Sequence, residues 1–245
     1  MQIHFIIHEA YEGSGAFLSW ANEHGYAVTC TRVYLQENLP EDIQAIDLLI
    51  VLGGPQCPAT TQEECHYFSA EKEISFIRRC VEVDKAVMGV CLGAQLIGEA
   101  LGAKFEQSPH KEIGYFPIEL TESGRKHPNF SHFNAIETVG HWHNDMPGLT
   151  PTSYVLATSA GCPRQIIEYS PLVYGFQCHL EFTAESITEL IAVSADEFET
   201  TDHHNYIQNP EGLMANSSLS MNALLFEFMD KLMVSYAKNS VDRMV

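Results

Sequence analysis

The chain has 245 residues, of which 45% are hydrophobic and 18% charged, and its formal net charge is −19. This composition supports a full core in one large domain, or in a domain of about 200 residues with an extension, and argues against disorder. The charge repels nucleic-acid phosphates and anionic membrane surfaces, and no apolar run approaches the roughly 20 residues of a membrane span, so neither nucleic acid nor membrane is an expected partner.

In chain order, Gln2 to Ile7 predicts a short buried strand; the start, Met1 to His8, has no basic segment followed by a cleavable apolar stretch, so no signal peptide is expected. Ser14 to Glu23 fits a helix closed by Gly25, and Tyr26 to Val33 alternates like a strand. Leu48 to Leu52 is a continuous apolar run ending at Gly53-Gly54-Pro55, the pattern of a central parallel strand buried on both faces. A helix is predicted over 71–83, a strand over 86–90 and a helix over 92–101. The stretch 113–179 reads as strand-rich, with its last strand over 172–179 and a helix from about Thr183. Residues 199 to 218 read as a polar loop. Leu224, Leu225, Phe228, Met229, Leu232, Met233 and Tyr236 then recur at helical spacing, as in an amphipathic helix packed on the domain. The expected division is therefore 1–195 as the main domain, with 196–245 as a loop and helix laid against it. Alternation of strand and helix predicts an α/β fold with a doubly wound, mostly parallel sheet flanked by helices. Ligands of such sheets sit beyond the carboxyl ends of the strands, where Gly53-Gly54-Pro55 and Cys91 both fall.

The strongest local signal is Gly89-Val90-Cys91-Leu92-Gly93-Ala94-Gln95. A cysteine between an apolar strand and an apolar helix, with a glycine two residues to either side, is the sequence of a nucleophile elbow. The turn leaves the sulfur at a helix N-terminus, where the backbone dipoles favour an anion. In Gly175-Phe176-Gln177-Cys178-His179-Leu180-Glu181, a strand continued to Glu181 would put His179 and Glu181 on one face, supplying a base and the carboxylate that orients it. Two glycines after a central strand leave a backbone N–H free to approach a developing oxyanion.

Together these segments resemble the class I glutamine amidotransferases. Gly89 to Gln95 is similar to their G-x-C-x-G-x-Q signature, Gly53-Gly54-Pro55 to their oxyanion strand, and His179-Leu180-Glu181 to their H-x-E pair. His141-Trp142-His143-Asn144-Asp145 and Glu112-Ile113-Gly114-Tyr115 resemble the GMP-synthase-like branch. The resemblance spans roughly residues 1 to 195 and implies the roles of the site residues. Cys91 attacks the glutamine carboxamide, His179 relays the proton and Glu181 orients His179. The N–H groups of Gly54 and Leu92 hold the oxyanion, while Gln95, Trp142 and Asn144 hold the amino-acid part of glutamine. Asn144 stands where relatives often have glycine, and asparagine tolerates a left-handed backbone better than most residues.

A GMP synthase also carries an ATP-activating domain with an S-G-G-x-D-S loop. That motif and a Walker A loop are both absent from this sequence. Two readings follow: a glutaminase that serves a separate ammonia-accepting synthase subunit, or a hydrolase of γ-glutamyl amides or peptides. A non-catalytic regulatory domain of the same fold is a third. A missing acceptor suggests a chain idle on free glutamine, its Gly53-Gly54-Pro55 peptide misoriented until a partner binds, with vigorous activity only on larger γ-glutamyl compounds. His141 with His143, Asp202 with His203 and His204, and Cys57 with Cys65 and His66 are metal-ligand types, but none has the paired spacing of a zinc site. Neither a metal nor a cofactor is expected. Seven irregularly spaced cysteines in a chain that can build a core point to free thiols and the cytoplasm.

Overall fold

A computed structural model describes residues 1–198 and 205–242. The first strands are β1 (Gln2–Ile7), β2 (Ala27–Arg32), β3 (Leu48–Val51) and β4 (Ala86–Val90), and the first helices are α1 (Gly15–Glu23), α2 (Ala70–Glu82) and α3 (Leu92–Ala100). A long hairpin follows, β5 (Glu106–Leu120) and β6 (Ile136–Met146), with the short helix α4 (Glu122–Lys126) between its arms. The chain then runs through β7 (Tyr154–Ser159), β8 (Ile166–Ser170), β9 (Val173–Phe176), α5 (Ala184–Val193), α6 (Pro210–Met214) and α7 (Leu219–Asp242).

The strands form one sheet in the order β2-β1-β3-β4-β9-β8-β7-β5-β6. Pairing is parallel from β2 across to β9 and antiparallel beyond it. The parallel half is the doubly wound arrangement that the continuous apolar runs predict. Leu48 and Ile50 belong to the core shared with α1 and α7, through Phe17, Trp20, Phe228 and Met229. Their neighbours Leu49 and Val51 belong to the opposite core, with Phe76 and Ile77 of α2 and Leu96 and Ile97 of α3. Alternate residues thus feed two cores, and all four are fully buried.

Three expectations change. The last parallel strand ends at Phe176 rather than His179, and the chain bends before residue 179. His179 instead makes a single antiparallel bridge to Gly140. The segment read as a polar loop contains α6, which starts on Pro210 and is capped by Asn209, whose side chain accepts from the Gly212 N–H. Ile207 also bridges to Ile113 of β5. Asn144 lies in extended β6 and is not among the residues with positive φ, so no left-handed turn is needed there.

Beyond α6, α7 contributes Leu225, Phe228, Met229, Leu232, Met233 and Tyr236 to the core. It is tied to α1 by Trp20 Nε1 donating to Asp230 (2.8 Å), and to the turn entering β3 by Tyr236 Oη donating to Asp47 (3.0 Å). Among the described residues no helix is long and apolar enough to cross a membrane.

Candidate active site

The adjacent strands β3, β4 and β9 bring their carboxyl ends together, and each is followed by one piece of the site: Gly53-Gly54, Cys91, and the bend leading to His179. Cys91 has φ 51° and ψ −110°, a left-handed backbone at a non-glycine residue, strain that persists only where the surroundings enforce it. The two flanking glycines do so. A Cβ on Gly93 would lie 2.0 Å from the Val51 carbonyl oxygen, and one on Gly89 would lie 2.5 Å from the Gly93 carbonyl. Only hydrogen at both positions lets α3 start directly against β3 and β4. The Cys91 N–H donates to the Phe176 carbonyl (2.8 Å), which locks the elbow to β9.

Three contacts hold His179 itself, and two more brace the residues after it. Its backbone exchanges hydrogen bonds with Gly140 (2.8 and 3.0 Å), and its ring stacks on Phe182 with centroids 4.1 Å apart and planes 10° apart. Nδ1 lies 2.6 Å from Glu181 Oε1. The carbonyls of Leu180 and Phe182 both accept from Asn222 Nδ2 of α7 (2.6 and 3.1 Å), so the C-terminal helix braces this segment. The Glu181 carbonyl accepts the Ala16 N–H at the start of α1 (2.9 Å). Gly15, at φ +48°, permits that approach, since a Cβ there would lie 2.3 Å from the same oxygen.

His179 Nε2 is buried and, among the described residues, has no hydrogen-bond partner. A Cβ placed on Gly53 would fall 3.5 Å from Cys91 Cβ and 3.6 Å from His179 Cε1, so the cysteine and the histidine flank the same glycine. Burial alone would lower the His179 pKa. The Glu181 charge, the sulfur of Cys91 and the Glu181 hydrogen bond outweigh it and raise the value to about 10, so His179 carries a proton at neutral pH.

Of the other predicted residues, Leu92 is the first residue of α3, and among the described residues neither its N–H nor that of Gly54 is bonded to a backbone acceptor. Gln95 is buried, and its side chain is linked to the Cys91 sulfur through a residue to which the sequence assigned no role: Gln95 Nε2 donates to Gln177 Oε1 (3.2 Å), and Gln177 Nε2 lies 3.3 Å from the sulfur. Its position two residues before His179 was the available signal. The Trp142 carbonyl faces the sulfur at 3.7 Å. Asn144 is exposed, further along β6.

Glu12, on the loop after β1, was also missed. A Cβ on Gly53 would sit 2.4 Å from its Oε2, which places the carboxyl against the glycine between Cys91 and His179. Burial raises its pKa to about 7. His179 and His8 pull the other way, while Glu181 and Glu9 add to the rise.

Glu112, His141 and His143 bring three potential metal ligands within 4.8 Å of one another, all buried. The space between them is taken by Gln165 Nε2, at 2.7 Å from Glu112 Oε2 and 3.2 Å from His141 Nδ1 and from His143 Nε2. Glu112 also accepts from Ser159 Oγ at 2.8 Å. A protein amide thus stands where an ion would, and the cluster reads as a polar brace behind β6, the strand whose Trp142 carbonyl faces Cys91. Cys57 and Cys65 are free thiols, and Asp202, His203 and His204 lie outside the described residues.

Comparison with known proteins identifies the family. The model of the family "Glutamine amidotransferase class-I" matches residues 19–197. The chain is 48% identical over 238 residues to the glutamine amidotransferase-like protein YfeJ of Salmonella typhimurium, covering 97% of this chain and all of that one. The crystal structure of SMU.1228c superposes with a TM-score of 0.94 at 47% identity, over 95% of this chain and all of that one. A glutamine amidotransferase of Thermotoga maritima shares the fold, with a TM-score of 0.83 at 21% identity over 95% of this chain and 97% of that one. The chain belongs to the class I glutamine amidotransferase family.

Proposed function

We propose that the chain hydrolyses the side-chain amide of glutamine through a γ-glutamyl thioester on Cys91. The observation that carries this reading is the His179 ring, clamped by Glu181 at 2.6 Å and stacked on Phe182, with Nε2 left free beside the strained Cys91 elbow. The sulfur of Cys91 bonds to the carboxamide carbon, its proton residing on His179 Nε2. The carbonyl oxygen becomes an oxyanion, held by the N–H groups of Gly54 and Leu92. Collapse breaks the carbon–nitrogen bond, and the nitrogen takes the His179 proton and leaves as ammonia. Water, giving a proton to His179, then attacks the thioester and releases glutamate and the thiol. Glu181 keeps Nδ1 protonated and Nε2 aimed at the reacting atoms. Gln95 and the backbone near Trp142 and Asn144 hold the amino-acid end, and Gln177 orients the sulfur. The ammonia would serve an acceptor site on a separate subunit.

Hydrolysis of larger γ-glutamyl amides uses the same steps. The test is ammonia and glutamate release by the purified chain from glutamine and from γ-glutamyl peptides. It is paired with trapping by a glutamine-analogue electrophile and peptide mapping. Glutamine turnover and label on Cys91 are expected, with both lost in Cys91→Ala. Turnover by a folded Cys91→Ala protein would refute the assignment.

A further inference from the structure

His8 follows β1 and lies beneath the Gly53-Gly54 loop, fully buried, and the mechanism above does not use it. Its Nδ1 is 2.9 Å from the Gly53 carbonyl oxygen, and its Nε2 is 2.8 Å from Glu73 Oε2 of α2, itself 3% exposed. The ring packs edge-on against Phe68, with centroids 5.8 Å apart. A Cβ on Gly54 would come within 2.9 Å of His8 Cβ, so the histidine sits directly under this peptide.

In a trans peptide the C=O and the next N–H point in opposite directions. A donor that holds the Gly53 carbonyl therefore also sets where the Gly54 N–H points. We infer that His8 and Glu73 are positioning residues that pin the Gly53–Gly54 peptide from below, so that the Gly54 N–H faces the Cys91 side without help from a partner. The inference rests on the proposed role of Gly54 as an oxyanion donor.

The chemistry of the two contacts supports it. A carbonyl oxygen can only accept, so His8 donates to it from Nδ1, and the Glu73 carboxylate at Nε2 favours the doubly protonated ring. Burial opposes that charge. The Glu73 charge, the hydrogen bonds to Glu73 and to the Gly53 carbonyl, and the more distant Glu12 outweigh it and raise the His8 pKa. Apolar residues could fill this volume without the cost of burying an ion pair, but they could not hold a carbonyl. Flipping the peptide would strand a buried charged donor. Loss of such a charge-assisted bond disfavours the flipped peptide by roughly ten- to a hundredfold. The loop that a missing partner would leave idle is thus held in place by the chain itself.

The test compares three readouts in His8→Leu and His8→Asn. The asparagine amide nitrogen stands near the position of Nδ1 and keeps a donor for the Gly53 carbonyl. His8→Leu should lower kcat for glutamine about a hundredfold, the effect of losing one oxyanion donor, with KM changed less than threefold. Alkylation of Cys91 by iodoacetamide, which forms no oxyanion, should keep its rate. His8→Asn should recover at least tenfold in kcat. In the unaltered protein, nitrogen NMR should show both His8 ring nitrogens protonated through neutral pH, a readout that stands even where His8→Leu does not fold. A folded His8→Leu protein with unchanged kcat, equal loss in turnover and alkylation without rescue by asparagine, or a neutral His8 ring would each overturn the inference. Cys91→Ala, assayed alongside, separates the two levels. Turnover there sinks the reading of the whole site, whereas a dead Cys91→Ala beside a fully active His8→Leu sinks only the positioning role.

Discussion

Glu12→Gln isolates the electrostatic strain of the site. The carboxyl of Glu12 has its pKa raised from 4.5 to about 7, mainly by burial. The unfolded chain gives up this proton near pH 4.5, whereas the folded chain holds it until about pH 7. Between those values the folded state binds more protons, so stability falls as pH rises, and the full penalty is present above pH 7. A shift of this size corresponds to about 3 kcal/mol at 1.36 kcal/mol per unit, and partial solvent access reduces that to about 2 kcal/mol. Glutamine has nearly the same shape and does not titrate. The unfolding free energy of Glu12→Gln relative to the natural protein should therefore rise by about 2 kcal/mol between pH 4.5 and pH 8. Urea denaturation at the two pH values, analysed with a common m-value, measures it. A difference between the two proteins that does not change with pH would show that Glu12 is not strained by its place beside Gly53.

Gly93→Ala should destabilise the fold by about 3 kcal/mol or more, read as a lower urea midpoint, because its Cβ would lie 2.0 Å from the Val51 carbonyl oxygen in the central sheet. Glu181→Gln should cost less turnover than His179→Ala at matched stability, since an orienting group leaves residual activity and a proton carrier does not; the opposite order in steady-state assays would assign Glu181 more than orientation. With the His179 pKa raised to about 10, the proton for the departing ammonia is present below that value and lost above it, so kcat should fall on an alkaline limb near pH 10. A limb near 6.5 would mean that the Glu181 pairing does not raise the histidine.

The sequence alone determined the features that depend on local backbone and packing demands. A continuous apolar run ending in glycines marks a central parallel strand, and Gly89 and Gly93 around Cys91 mark a turn in which strand and helix nearly touch. The chain order of Cys91, His179 and Glu181 was visible as motif. Glutamine 177 was also in view, but nothing in its spacing said that it touches the Cys91 sulfur, because that contact joins the end of β9 to the elbow after β4. Only the tertiary structure decided how the His179 segment is held. Its strand ends at Phe176, and a Gly140 bridge, the Phe182 ring and Asn222 from α7 replace the extended backbone that sequence alternation predicts. His8, Glu12 and Glu73 stayed silent for the same reason. Their roles depend on partners distant in the chain, Gly53 and Glu73 for His8 and Gly53, His179 and Glu181 for Glu12, brought together by the parallel crossovers, and a periodicity read over one or two turns carries no information about contacts at that separation.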